Sequence, residues 1–434
     1  MKRNAWLREM TRALSIMVAG AVVTVAVAAD DPKSVLALPL VPATKTPADT
    51  KNEISKELST PTHDKLAEIK IKAKHSGNAL QTLCADANGN ILAVVAPPRY
   101  GQVSKTKMNS EIQVFDQNGK TLRQWEVPFT AQSIAVGPNG QVYVAGDAHV
   151  AMFEADGKLI KDVELPHISK MSSNVEGMKK DAEAQIKQEK LSFEQSTKQI
   201  KDMKTKLEAK KEEDRTARDK QMITQYDQIL KSYEEQGNFY TKRTVDDVVK
   251  ETLTRLRYIN AVAVNEKDIF IVCGETKGWG YAVWRMNHEF GEPKQVMAGL
   301  GGCCGQMDLC CEGDNLIVAE NTQKKFARYS RDGKSMGKWG KAGDKDVSCF
   351  GGCCNPMNVR ASGKGDIFTS ESEGYIKRFS AAGEFMGIVG KVDISGGCKN
   401  VAIAATPDEE RVYFCDQPGN RIFILAKKKN VVQK

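Results

Sequence analysis

Three features of this chain lead us to expect an all-β fold of repeated four-stranded units closed into a six-bladed propeller. One unit occurs twice: Gly301-Gly302-Cys303-Cys304 returns as Gly351-Gly352-Cys353-Cys354. Met307, Gly333, Met336-Gly337 and Gly340 likewise return fifty positions on as Met357, Gly383, Met386-Gly387 and Gly390. Self-similarity at a period of this length marks a solenoid or a propeller. Six short apolar strands, each followed by a turn signal, extend the repeat to most of the chain. The last unit ends after its third strand, and an isolated strand stands before the first unit.

The six inner strands read Gln81–Ala85, Ser133–Val136, Asn260–Val264, Met307–Cys311, Met357–Ala361 and Val401–Ala404. Turn pairs such as Asn88-Gly89, Asn139-Gly140 and Lys364-Gly365 follow them, and such pairs tolerate the positive φ of tight hairpins. A second glycine turn, at Gly119, Gly157, Gly291, Gly333 and Gly383, precedes the last strand of five units. The sixth unit stops at Arg421–Leu425, and the alternating segment Leu66–Ala73 can supply its missing fourth strand. Joining both ends of the chain in one blade closes the ring and removes a free sheet edge.

One interval is too long for a blade. Between Gly157 and Gly291 lies a proline-free segment, 169–257, dominated by Lys, Glu, Gln and Asp. Ile186, Phe193, Ile200 and Leu207 recur every seven residues, and Met222, Tyr226, Ile229 and Tyr233 form a second stripe. We read a coiled-coil-like helical hairpin with a first helix of about 40 residues, some 60 Å long, and a short return helix. Ser173-Asn-Val-Glu176 and Thr244-Val-Asp-Asp247 are its capping signals. The hairpin either satisfies its own stripes or offers them to a protein partner or to self-association.

The basic residues Lys2, Arg3, Arg8 and Arg12 precede an uncharged apolar run, Ala13–Ala29, that ends in small residues. This is the layout of a secretory signal peptide over 1–29, so the expected location is periplasmic or secreted, with a retained N-terminal anchor as the alternative. No later segment is apolar enough to span a membrane. A proline-rich linker over 30–64 follows. The remaining organisation is a closing strand and blades one and two over 65–168, the insertion over 169–257, blades three to six over 258–428, and a basic tail over 429–434. The formal charge of +8 is partly carried by the signal, and the rest is spread among acids, which argues against nucleic acid as a partner.

Gln132-Ser-Ile-Ala-Val-Gly-Pro-Asn-Gly-Gln-Val-Tyr-Val-Ala145 and Arg411-Val-Tyr-Phe-Cys-Asp416 with Asn420-Arg-Ile-Phe-Ile-Leu425 resemble NHL repeats. That family builds six-bladed propellers and hosts many unrelated functions, so the resemblance implies a fold more than an activity. Phe350-Gly-Gly-Cys-Cys-Asn-Pro356 further resembles exported bacterial NHL proteins with a doubled cysteine at the blade entry.

In that arrangement Cys303, Cys304, Cys349, Cys353, Cys354 and Cys398 fall in the crossovers entering blades four, five and six, on one rim of the disc. Cys310, with Cys311 beside it, lies one step deeper on an inner strand, and Cys84 is its equivalent in blade one. Three fates are open for these thiols. In an exported protein they can form disulfides, with staggered rather than equivalent positions meeting across blades. They can bind zinc, copper or an iron–sulfur centre. They can also stay unpaired. Eleven cysteines is an odd number, so at least one is unpaired. Cys273 and Cys415, on second strands, read as core. Glu320, Glu371 and Asp416 recur after the second strand of blades four to six. They are secondary candidates for a cation site, or bond neighbouring turns. His63, His75, His149, His167 and His288 do not recur with the blades. The functional reading is a binding or scaffold module working through the cysteine rim and the helical arm. The alternative is a metal- or thiol-dependent redox enzyme at the channel mouth.

Overall fold

The computed structural model describes residues 56–98, 109–278, 280–303, 306–344, 346–352, 354–394 and 401–429. The expected signal segment, most of the expected linker, and Cys304, Cys353 and Cys398 lie outside them. Six four-stranded antiparallel sheets follow one another in chain order. Their inner strands are Ala79–Ala85, Ser133–Val136, Ile259–Val264, Asp308–Glu312, Asn358–Ala361 and Val401–Ala405. The sixth sheet takes its outer strand from the other end of the chain: His63–Lys70 pairs antiparallel with Arg421–Lys427, from His63↔Lys427 to Lys70↔Arg421. The closing strand thus begins three residues before the alternating segment, because His63 is buried and its Nε2 donates to the carbonyl of Glu409, 2.9 Å away. The fold is a closed six-bladed β-propeller carrying a helical insertion.

Each blade packs on both faces, so several second strands are apolar along their length. Ile91–Ala96 and Ile269–Gly274 are buried at every position, whereas the outer strand Thr121–Val127 alternates. Between blades four and five sits an aromatic cluster in which Phe326 and Phe379 lie 4.8 Å apart and Phe350 packs 5.7 Å from Phe379. At the closure, Ile69 and Ile422 meet Leu80 and Leu83 of blade one, and the buried Tyr413 hydroxyl donates to Gly89 O at 2.7 Å.

The second-turn glycines have a packing reason. The outer strand of one blade leans on this turn of the next: Trp125 covers Gly157, and Trp339 covers Gly383. A Cβ at Gly383 would lie 2.0 Å from Trp339 Cγ, and the residue has φ +80°.

Inner strands leave one backbone edge facing the channel. The preceding blade caps it with side chains: Val262 N donates to Ser133 Oγ at 2.8 Å, Val359 N to Asp308 Oδ2 at 2.9 Å, and Ile403 N to Asn358 Oδ1 at 3.0 Å. Burying these amides without acceptors would cost about 1–3 kcal/mol each.

The insertion consists of α1 (Pro166–Ser173), α2 (Val175–Glu208), α3 (Ala217–Lys242) and α4 (Val245–Arg257). The first long helix has 34 residues, shorter than the expected 40, or about 50 Å at 1.5 Å per residue. Its cap is Asn174, whose Oδ1 accepts from Gly177 N at 3.2 Å. Ser173, the residue expected there, instead closes α1 by donating to Lys170 O at 2.8 Å. The capping box of Thr244 with Asp247 forms as expected. The two stripes largely satisfy one another: Phe193 and Tyr233 rings lie 5.3 Å apart, Ile200 is buried, and Lys204 pairs with Asp227 at 2.6 Å. Both ends of the insertion are tied to Ala148 of blade two, through Leu165 N to Ala148 O at 2.7 Å and Ala148 N to Arg257 O at 2.8 Å.

Gly383→Ala is expected to destabilise the protein by about 2–4 kcal/mol, from left-handed strain plus overpacking. Trp339→Ala in the same chain should recover the steric part only. Urea unfolding checks both, and an unchanged midpoint for Gly383→Ala contradicts the packing account.

Candidate functional site at the entries of blades four and five

Cys303 enters blade four and Cys354 enters blade five, and their sulfurs lie 2.8 Å apart across the blade boundary. These are staggered members of the two doublets: the first cysteine of one and the second of the other. Each sits beside a buried asparagine that fixes the local backbone. Cys303 N donates to Asn321 Oδ1 at 2.7 Å, and Asn321 Nδ2 donates to Gln306 O at 3.1 Å. Asn355 Nδ2 donates to Gly351 O at 2.9 Å and to Glu373 Oε2 at 2.5 Å, and its Oδ1 accepts from Ser372 N at 2.9 Å. Cys354 is wholly buried in the core between blades five and six, with Met357 and Phe368, whereas Cys303 is half-buried at the edge of that core.

Lys324 completes this cluster. Its Nζ donates to Gly352 O at 2.6 Å, and burial lowers its pKa against the opposing pull of Cys354, Cys303, Glu373 and Glu371. Its backbone is left-handed, φ +57°. The residue just before the third strand in blade five is Gly374, φ +86°, and in blade six Asn420, φ +51°. Blade four therefore places a lysine where L side chains with a Cβ are disfavoured, and that position turns the ammonium toward the sulfurs.

Beside this cluster a cavity of about 350 Å³ opens at the entry of blade five. Asp344, Asp346, Cys349, Glu371, Glu373, Tyr375 and Lys377 line it, among others. Gly352 (φ +60°) keeps its wall thin: a Cβ there would meet Glu373 Oε1 at 2.2 Å. Glu371 and Lys377 are both buried and form an ion pair; Lys377 also donates to Cys349 O at 2.6 Å and lies 5.1 Å above the Phe350 ring. Burial raises the Glu371 pKa to about 7, opposed by Lys377.

The three recurring acids thus stay within their own blades. Glu320 accepts from Tyr329 Oη and, at 2.9 Å, from Lys338; Glu371 pairs with Lys377; Asp416 pairs with Arg421 at 2.8 Å and accepts from Gly419 N. Each carboxylate already has a cation, and the pairing serves the blade turns.

The remaining described cysteines form a second class. Cys310 Sγ accepts from Ala361 N at 3.2 Å, one more inner-edge cap. Arg360, which bonds Asp308 at 2.8 Å, reaches Cys310 and Cys84 electrostatically. Burial nevertheless pushes Cys84, Cys273 and Cys310 up to about 12 and also raises Cys311 and Cys415. These five hold as neutral thiols, with no disulfide. Among the described residues, no three His, Cys, Asp or Glu side chains are grouped as a metal site requires. The histidines are spent locally: His149 on Asp162, His288 on Tyr143, His75 on Glu126, and the buried His167 stacked 4.5 Å from Trp284.

Sequence reasoning reached the staggered cysteines but missed Lys324, Lys377, Asn321 and Asn355. The available signal was the departure at Lys324 from the glycine that blade five uses in the same turn.

No protein-family model matches the chain, and no curated protein matches its sequence. Among solved structures, regucalcin of Agrobacterium tumefaciens, a calcium-binding protein, aligns over 81% of this chain and 93% of its own, with 11% identity and a TM-score of 0.42. A catalytically inactive virginiamycin B lyase of Staphylococcus aureus with quinupristin aligns over 83% and 99%, with 10% identity and a TM-score of 0.38. Likeness at this level transfers no function, and the fold rests on the six sheets described above.

A carboxyl whose folded pKa lies above its unfolded value favours the protonated fold, so its contribution is present below about pH 4.5 and is lost as pH rises toward 7. Glu371→Gln should therefore gain stability relative to the parent between pH 5 and pH 8, read as urea midpoints; a pH-independent difference contradicts a raised Glu371. Alkylation with iodoacetamide at pH 8 should leave Cys84, Cys273, Cys310, Cys311 and Cys415 unmodified in the folded protein and modify all five in guanidinium. Peptide mass mapping reads this, and native labelling of Cys310 contradicts it.

Proposed function

We propose that the protein is an exported, NHL-type propeller that works as a binding or scaffold module on its crossover face. What carries the reading is one juxtaposition: the Cys303–Cys354 contact and Cys349 at the blade entries lie beside Lys324 and the acid-lined cavity, whose Glu371 and Glu373 sit in the turn after the second strand of blade five. The insertion occupies the corresponding crossover between blades two and three, from Glu164 to Ile259. In a propeller every crossover returns to the same face, so the arm flanks the mouth. The arm, 169–257, is the element proposed to meet a protein partner or a second copy, with Leu191 and Met203 exposed along it. The cavity carries more carboxylates than cations, which suits a cationic ligand or protein segment. Residues 1–29 are proposed as the export signal. Among the described residues no helix is long and apolar enough to cross a membrane.

The specific observation that favours a second reading, a thiol- or metal-dependent redox enzyme, is the cysteine pair with its lysine.

Metal analysis and an absorption spectrum of purified protein separate the two. A binding module is expected to carry no stoichiometric metal and no chromophore, and to show at least five titratable thiols after unfolding without reductant. Stoichiometric zinc, copper or iron retained through dialysis, and lost on thiol alkylation, overturns it in favour of the second reading.

A further inference from the structure

We propose that Cys303 and Cys354 form an ordered dithiol pair that exchanges with external disulfides, with Cys303 as the attacking thiol and Cys354 as the resolving one. The inference deepens the second reading above, and it rests on the blade entries being the working face.

The pair is built rather than accidental. Its sulfurs are in contact at 2.8 Å, so oxidation to a bond near 2.05 Å needs only a small approach. Buried Asn321 accepts from the Cys303 amide, and buried Asn355, next to Cys354, ties the blade-five entry to Gly351 and Ser372. The pairing joins blades that are neighbours in the ring but 51 residues apart in sequence, so it exists only in the folded protein.

Burial assigns the order. Cys303 is half-buried at the edge of the core between blades five and six, whereas Cys354 is wholly buried among Met357, Phe368 and Val401. The less buried sulfur is the one we assign to the first attack on an external disulfide. Lys324, held by Gly351 and Gly352 carbonyls, stands in electrostatic reach of both sulfurs and favours the thiolate form. It acts as a positioning residue.

The Cys303 thiolate attacks one sulfur of the external disulfide, forms a mixed disulfide and expels one thiolate. Cys354 gives up its proton and attacks Cys303 Sγ, and the second external thiolate leaves. Two protein thiols lose two electrons, one external disulfide gains them, and the two released thiols take the two protons.

The test uses full-length protein, fully reduced and desalted, with oxidised glutathione as the disulfide. Wild type is expected to release two glutathione equivalents from this site and to yield a peptide linked Cys303–Cys354. Cys354→Ser should halt at a stable glutathione adduct on Cys303. Cys303→Ser should lose the fast phase, with labelling of Cys354 slower by at least about tenfold, as its burial requires. Lys324→Met should slow the first step by roughly three- to tenfold with a raised apparent thiol pKa in the pH profile, and Lys324→Arg should restore it. Circular dichroism and thermal melts identify any variant that fails to fold, and Cys303→Ala then replaces Cys303→Ser. A linked peptide joining Cys303 to any other cysteine, or faster modification of Cys354 than of Cys303, overturns the pairing or its order. Metal retention is read separately, so a mouth that binds zinc or copper but does not exchange defeats this inference while leaving the metal reading standing.

Discussion

The structure depends on blades being completed by their neighbours. A four-stranded sheet standing alone exposes two apolar faces and two unpaired edges. Here the faces are covered by adjacent blades, as with the Phe326–Phe350–Phe379 cluster between blades four and five. The inner edges are covered by polar atoms of the preceding blade: Ser133, Asp308, Asn358 and Cys310 each accept an amide from the next inner strand. No blade can keep this arrangement unless the ring is closed, and the strand His63–Lys70 closes it through its ladder with Arg421–Lys427.

The same constraint makes the blade entries suitable for chemistry. Crossovers and the turns after second strands carry few ladder bonds, so their side chains are free to differ from blade to blade while the strands below hold them in place. Blades four and five place cysteines in the crossovers and Lys324, Glu371 and Glu373 in the adjoining turns. The cost is local: a left-handed Lys324 and a buried Glu371 that ionises only near neutrality. Asn321 and Asn355 keep the entries rigid enough for two sulfurs from different blades to meet.

Much of this was legible in the sequence because it is periodic. The fifty-residue echo identified the blades, the truncated sixth unit pointed to strand closure, and alternation located the closing strand to within a few residues. The hairpin stripes and the Thr244 cap were equally visible. Local competition was harder to read: Asn174 displaced Ser173 as the cap because Ser173 ends the preceding helix. The site was legible in its cysteines and opaque in everything else. Lys377 meets Glu371 across the turn between the second and third strands of one blade, but Lys324 comes near Cys354 only after two blades stack, and no spacing encodes that meeting. Which thiols cap an inner edge, as Cys310 does, and which meet across blades, as Cys303 and Cys354 do, is set by packing between blades, which repeat register alone does not supply.

The central claim is that ring closure brings two staggered cysteines from adjacent blades together on the crossover face. Locating the sulfur atoms by anomalous scattering in crystals of the full-length protein tests it most directly. The account predicts sulfur peaks for Cys303 and Cys354 in contact or bonded, on the face that carries the helical arm, with His63–Lys70 paired to Arg421–Lys427. Sulfurs placed on separate rims, or an open ring with the closing strand unpaired, would contradict it.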